Sequence, residues 1–338
     1  MKMKKIAAII FSAAMVLNMG AVAMATGGDT TPSYTDMKTV TIKKSYEATN
    51  PSTTSPAETF GFSIERTSVK DAAAGVATGN MPLPTIGSVS YEKGEAGSET
   101  KSKDITITLP EYSSVGVYTY TIKETQGLTA GVTYRTSDIK LVVTVLQDEG
   151  GYIRVAAVHT EDEGGNKTNT FNDNEYSAGS LAVKKIVTGN LGDQQKEFAV
   201  TVTFTAPEGK EVSEAISYSD GGTDYTIPAS AWTSGTATAE INLKHDETVT
   251  FTNIPYGVTY TVEEADYTSD GYKTTYALGD NNKKIDSASD SVDITNNKNN
   301  DKIDTGINLD SMPYIMILAL VAVCAVVMFA RKRFSANR

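Results

Sequence analysis

The sequence predicts an all-β protein: two tandem immunoglobulin-like antiparallel β-sandwich domains held between two apolar ends. Three observations carry that reading. Short segments rich in Thr, Val, Ile and aromatic residues alternate apolar and polar positions, which is the period of a half-buried strand. Breakers such as Gly79-Asn-Met-Pro-Leu-Pro84 and Glu149-Gly-Gly151 separate them, and no useful helical period stands outside the two ends. The whole pattern then occurs twice, and a repeat is read before anything else.

The chain begins with a secretory signal peptide, residues 1–25. Lys2, Lys4 and Lys5 form its basic start, Ile6 to Met24 is mainly apolar, and Ala23-Met-Ala25 supplies the small residues of a cleavage site. Its composition (40% hydrophobic, 21% charged) is globular, and 338 residues suggest about two domains. The single cysteine, Cys324, lies in the C-terminal apolar run, so the exported part has none. Extracellular β-proteins normally use disulfides. Another covalent staple would fill that gap.

The first domain, 35–176, opens on Val40-Thr-Ile-Lys-Lys-Ser-Tyr46 and continues through Phe60–Ile64, Ile105–Leu109, Val117–Ile122, Ile139–Leu146 and Tyr152–Val158. The second, 180–298, opens on Leu181-Ala-Val-Lys-Lys-Ile-Val-Thr-Gly189. It continues through Phe198–Phe204, Ala237–Leu243, Thr248–Thr252, Tyr260–Glu264 and Val292–Thr295. Only Glu175–Ser180 is left as a linker, so the domains should stand end to end with little hinge freedom.

Counting by twos, Val40, Ile42, Lys44 and Tyr46 share one face, as do Leu181, Val183, Lys185 and Val187. Each opening strand therefore carries a lysine on its apolar face. An unpaired buried ammonium costs several kcal/mol or gives up its proton. Downstream, Gly116-Val-Tyr-Thr-Tyr-Thr-Ile-Lys-Glu124 and Gly257-Val-Thr-Tyr-Thr-Val-Glu-Glu264 echo each other, with Lys44 to Glu124 spanning 80 positions and Lys185 to Glu264 spanning 79. Each unit closes on an Asn-bearing segment, Thr170-Phe-Asn-Asp-Asn174 and Ile294-Thr-Asn296. The neighbouring Lys43, Lys184, Lys123 and Glu263 fall on the solvent side.

At the far end, residues 313–330 hold no charge and are followed by Arg331-Lys-Arg333, so they are just long enough to span a membrane with a basic cytoplasmic tail, 331–338. Just upstream stands Lys302-Ile-Asp-Thr-Gly306.

On the repeated Lys–Glu–Asn pattern, the chain resembles the isopeptide-linkage domains of sortase-assembled pilus backbone proteins from Gram-positive bacteria, of the streptococcal T-antigen type. The resemblance covers nearly all of the mature chain. Residues 302–338 likewise resemble a cell-wall sorting signal with its motif at 302–306. Ile303 stands where proline is usual and Lys302 where leucine is, which leaves the sortase class open.

The resemblance implies two autocatalytic Lys–Asn amide bonds. Lys44 and Lys185 would be nucleophiles, Glu124 and Glu264 catalysts, and Asn174 and Asn296 electrophiles, with Asn172 and Asp173 as alternatives to Asn174. The chemistry is sound: burial lowers an amine pKa and raises a carboxyl pKa, so an amine can attack while an acid polarises the amide and carries the proton. The turnover is single, so the protein is no enzyme in the usual sense. The resemblance further implies sortase cleavage between Thr305 and Gly306, transfer to a lysine of another copy, and attachment to peptidoglycan. Lys167, in Gly164-Gly-Asn-Lys-Thr168, is the polymerisation lysine it points to, with Lys101 and Lys103 as fallbacks. Minor pilins and a host surface are further expected partners, and a wall-anchored adhesin or ancillary pilin is the alternative function.

Other chemistry finds no support. His159 and His245 are isolated, so neither a metal site nor a catalytic triad is expected, and no cofactor. Losing seven cations and one anion with the two ends takes the formal net charge from −11 to −17. A surface that acidic repels nucleic acid.

Overall fold

The computed structural model describes residues 36–50, 52–96, 101–280, 282–300 and 312–335. The expected signal peptide and the expected sorting motif, Thr305 and Gly306 included, lie outside the described residues. The first unit carries β1 (Thr39–Ala48), β2 (Glu58–Phe60), β3 (Phe62–Lys70), β4 (Thr85–Ile86), β5 (Val89–Tyr91), β6 (Lys101–Thr108), β7 (Gly116–Glu124), β8 (Val132–Thr133), β9 (Ile139–Gln147), β10 (Ile153–Glu161) and β11 (Thr170–Tyr176). The second carries β12 (Ala178–Thr188), β13 (Phe198–Thr205), β14 (Ile216–Asp220), β15 (Thr223–Ile227), β16 (Thr236–Leu243), β17 (Thr248–Pro255), β18 (Thr259–Glu264), β19 (Lys273–Leu278) and β20 (Ser289–Asn297).

Each unit is a sandwich. In the first, a sheet ordered β4-β6-β1-β11-β8 faces one ordered β10-β9-β7-β3, with β2 and β5 paired beside them. In the second, β15-β14-β17-β12-β20-β19 faces β16-β13-β18. Alternation is complete in β7, where Gly116, Tyr118, Tyr120, Ile122 and Glu124 are buried and their neighbours are not. The two inner faces close over cores led by Tyr46, Phe60, Tyr118 and Tyr120 in one unit and Phe204, Phe251 and Ile294 in the other.

The expected antiparallel pairing has one exception per unit: β1 runs parallel to β11, and β12 parallel to β20. A parallel neighbour cannot be joined by a hairpin. Here nearly the whole unit lies between the two strands, so the first and last strands are brought side by side pointing the same way.

The hairpin β14–β15 and strand β19 were not legible as strands. β15 and β19 are the two edges of the six-stranded sheet and are largely exposed, so neither shows a buried alternation. Gly221-Gly222, both with positive φ, form the hairpin's turn and are its one sequence signal.

The linker contracts to one residue, Ser177, between Tyr176 and Ala178. Its N–H donates to the Gly131 carbonyl at 2.8 Å and its carbonyl accepts from Tyr256 N–H at 2.9 Å. Beside it, Ala130 N–H donates to Glu211 O and Glu211 N–H to Leu128 O, each at 2.8 Å. Gly131 has φ +78°, and a Cβ there would stand 2.6 Å from the Ser177 carbonyl, so this crossing needs glycine. Main-chain hydrogen bonds across a one-residue joint leave little room for a hinge.

Because β12 starts at the joint and β20 runs parallel to it, the chain leaves the second unit at the end away from the first. Beyond it, helix α1 (Met312–Ser335) is long and apolar enough over Tyr314–Lys332 to cross a membrane.

Candidate functional site

Each sandwich buries a lysine, a glutamate and an asparagine together. In the first unit Lys44 points inward from β1 and is 1% exposed, and Asn174 on β11 is fully buried. Strand register explains their meeting: Asn174 lies opposite Tyr46, two residues beyond Lys44, so lysine and asparagine project from adjacent strands to one face. Glu124, the last residue of β7, reaches them from the facing sheet.

The Lys44 Nζ is in contact with Asn174 Oδ1 and lies 2.9 Å from Glu124 Oε2. The Asn174 amide donates from Nδ2 to Glu124 Oε1 at 2.6 Å, and the Arg135 main-chain N–H donates to the same oxygen at 3.0 Å. The Phe60 ring packs near Nζ, 5.6 Å to its centroid. Burial pushes the Lys44 amine below its usual pKa, against the opposing pull of Glu124.

The second unit repeats the arrangement with different support. Asn296 lies opposite Val187, again two residues beyond the lysine, and both Lys185 and Asn296 are fully buried. Lys185 Nζ is 2.5 Å from Glu264 Oε1 and 4.3 Å from the Phe198 ring centroid. The Thr274 hydroxyl donates to Glu264 Oε2 at 3.0 Å, and the Glu264 N–H donates to the Tyr276 hydroxyl at 3.0 Å. Both amide atoms of Asn296 are buried without a hydrogen-bond partner. Burial again lowers the lysine pKa, with Glu264 opposing.

All six residues singled out for the amide chemistry have buried side chains, three to a sandwich: Lys44, Glu124 and Asn174 touch one another, Lys185 touches Glu264, and register sets Asn296 two residues beyond Lys185 on the neighbouring strand. The alternative acceptor Asp173 does not join them: its half-exposed carboxylate turns away to the Arg135 guanidinium, which also stacks 5.0 Å from the Phe171 ring. The side chain of Asn172 lies outside the described residues. Lys43, Lys123 and Lys184 make exposed ion pairs with Asp104, Glu65 and Asp246. Lys167 is exposed, on the return of a turn closed by Asp162 and Asn166, with Glu161 opposite. Lys103 is instead engaged by Glu95 at 2.7 Å and by the Tyr91 ring, and the side chain of Lys101 lies outside the described residues.

Sequence reasoning missed Arg135 and Thr274, which hold the two carboxylates. Neither carries a local signal. Thr274 becomes visible only through the β19–β20 register, where it lies opposite Asn296.

Both units are similar to known protein families. Residues 38–177 match the family described as Spy0128-like isopeptide containing domain, and residues 179–298 match a family described as a domain of unknown function. A curated pilin of Streptococcus pyogenes serotype M1 is 28% identical over 311 residues, 87% of this chain and 90% of the relative. The solved major pilin of Streptococcus pyogenes superposes with a TM-score of 0.54 at 26% identity, over 79% of this chain and all of that one. The major pilin T3.2 of the same species gives 0.54 at 25% identity, over 78% and 99%.

Proposed function

The chain is a pilus backbone subunit of the streptococcal major-pilin type, and on that premise we propose that each of its domains closes an intramolecular Lys–Asn isopeptide bond. One observation carries this: each sandwich buries a lysine against a glutamate in its core, with an asparagine on the neighbouring parallel strand at the same register offset. Moving a proton from Nζ to the adjoining carboxylate leaves both partners neutral, the form a low-dielectric pocket favours. The free amine then attacks the Asn Cγ while the carboxylic acid hydrogen-bonds the amide. A C–N bond forms to Nζ and the C–Nδ2 bond breaks: Glu passes the first lysine proton to Nδ2 and takes up the second from Nζ, so that neutral ammonia leaves and Glu ends protonated. Nothing else is consumed.

The bond ties the first strand to the last. In the second domain, tension entering at β12 and leaving at β20 would load the cross-link before the core, while in the first, tension from Lys167 would run along β11 itself. That suits a fibre subunit.

Polymerisation joins copies of this chain. Sortase would cut after Thr305, hold the chain as a thioester, and pass it to Lys167 of another copy. Support comes from the exposed position of Lys167 in the first domain and from the chain's exit at the opposite end of the second. Joining one to the other repeats head to tail. The last transfer would place the fibre on peptidoglycan, after α1 has held the precursor in the membrane.

Digestion of the exported chain should yield branched peptides linking Lys44 to Asn174 and Lys185 to Asn296. Cell-wall extracts should give a high-mass ladder that Lys167→Ala abolishes, leaving wall-bound monomer with both internal bonds. Ladders persisting in that variant would move the linkage to another lysine, and unbranched peptides would end the isopeptide reading.

A further inference from the structure

We propose that Thr274 is a positioning residue for the second domain's bond-forming step, a role that rests on the isopeptide reading above. The two catalytic carboxylates are each gripped on two sides. In the first domain, Lys44 takes one oxygen of Glu124, and the other receives the Arg135 main-chain N–H together with the Asn174 amide. In the second, Lys185 takes Oε1 of Glu264, and Oε2 receives the Thr274 hydroxyl. Arg135 follows β8, which pairs with the last strand of its domain, and Thr274 sits in β19, which pairs with the last strand of the other. The two donors therefore occupy corresponding places, one from the main chain and one from a side chain.

Geometry gives Thr274 its task. It stands opposite Asn296 in the ladder, and β19 also holds the Glu264 main chain through Tyr276. The Glu264 side chain is 1% exposed, so no bulk water competes for Oε2. A hydroxyl donating there fixes the carboxyl plane with one oxygen on Lys185 and the other on β19, the strand paired with the one that carries Asn296. The proton path, from Nζ to Glu264 and on to the departing Nδ2, needs that orientation. Without it the carboxyl can rotate about its last bond and lose its alignment with Lys185.

The test follows bond formation in a freshly synthesised Thr26–Thr305 chain, which holds every described strand, by intact mass over time. The wild type should lose two ammonia molecules. Thr274→Val, which keeps the shape and drops the hydroxyl, should form the second bond roughly tenfold more slowly or worse. Thr274→Ser should restore the wild-type rate, and the first domain's bond should form normally in all three as an internal control. A Val variant as fast as wild type overturns the proposal while leaving the bond itself standing. So does a Ser variant as slow as Val, since that points to the methyl group's packing. A wild-type chain that keeps its second ammonia overturns both readings at once.

Discussion

The two domains reach one constellation by different supports, and the difference separates what the chemistry requires from what it tolerates. Common to both are the parallel pairing of first and last strands, the two-residue offset of Asn from Lys, and a glutamate ending a strand of the opposite sheet. What differs is the grip on the glutamate: main-chain N–H in one, a threonine hydroxyl in the other. The first domain also stations Arg135 beside its site, holding Asp173 away from the lysine. Register is therefore the fixed element, and the carboxylate's support is free to vary.

The largest expected effect breaks the comparison at its shared element. Glu124→Ala and Glu264→Ala should each abolish the bond of their own domain only, leaving one ammonia in the mass. The closed loops are alike, with Lys44 and Asn174 separated by 130 positions. Each loss should therefore cost about 5 kcal/mol by loop-closure entropy, lowering that domain's melting temperature by about 15 °C in calorimetry. A bond surviving in Glu264→Ala would dismiss Glu264 as catalyst and bring Glu263 forward.

The acceptor choice comes next in size. In Asn174→Ala, Asp173 should not take over, because Arg135 holds its carboxylate on the other side. The mass should then show one ammonia lost and no water. A loss of water would mean that Asp173 swings in to form the amide.

Arg135→Ala sharpens the comparison at its unshared element. The main-chain N–H that grips Glu124 survives this change, so the first bond should still form. Only the side-chain contacts with Asp173 and the Ser137 carbonyl go, for a stability loss of about 1–3 kcal/mol in denaturant titration. Failure of the bond in this variant would show that the guanidinium, too, serves the chemistry.

The smallest effect concerns pH. In Asn174→Ala the amine of Lys44 stays free, with a folded pKa lowered by burial from the ordinary 10.5. Between those two values the unfolded chain binds more protons than the folded one, so stability should rise with pH and fall away as pH drops toward the folded value. In the linked wild type the amine has become an amide and contributes no such slope. Parallel urea titrations from neutral to alkaline pH compare the two, and equal slopes would place Lys44 in water.

Much of this was legible in the chain itself. Lys44 and Lys185 stood on apolar faces, and period-two alternation located the strands around them because one face of each is buried. Edge strands β15 and β19 escaped because exposure on both faces erases that signal. The parallel closing pairs escaped because alternation says nothing about strand direction. Thr274 and Arg135 could not be found at all, since their roles arise from contacts across strands that no local spacing encodes.

The claim that both domains are cross-linked is met most directly by the intact mass of the folded Thr26–Thr305 chain. It should fall short of its sequence mass by two ammonia molecules. An undiminished mass would contradict the account, and a single ammonia lost would confine it to one domain.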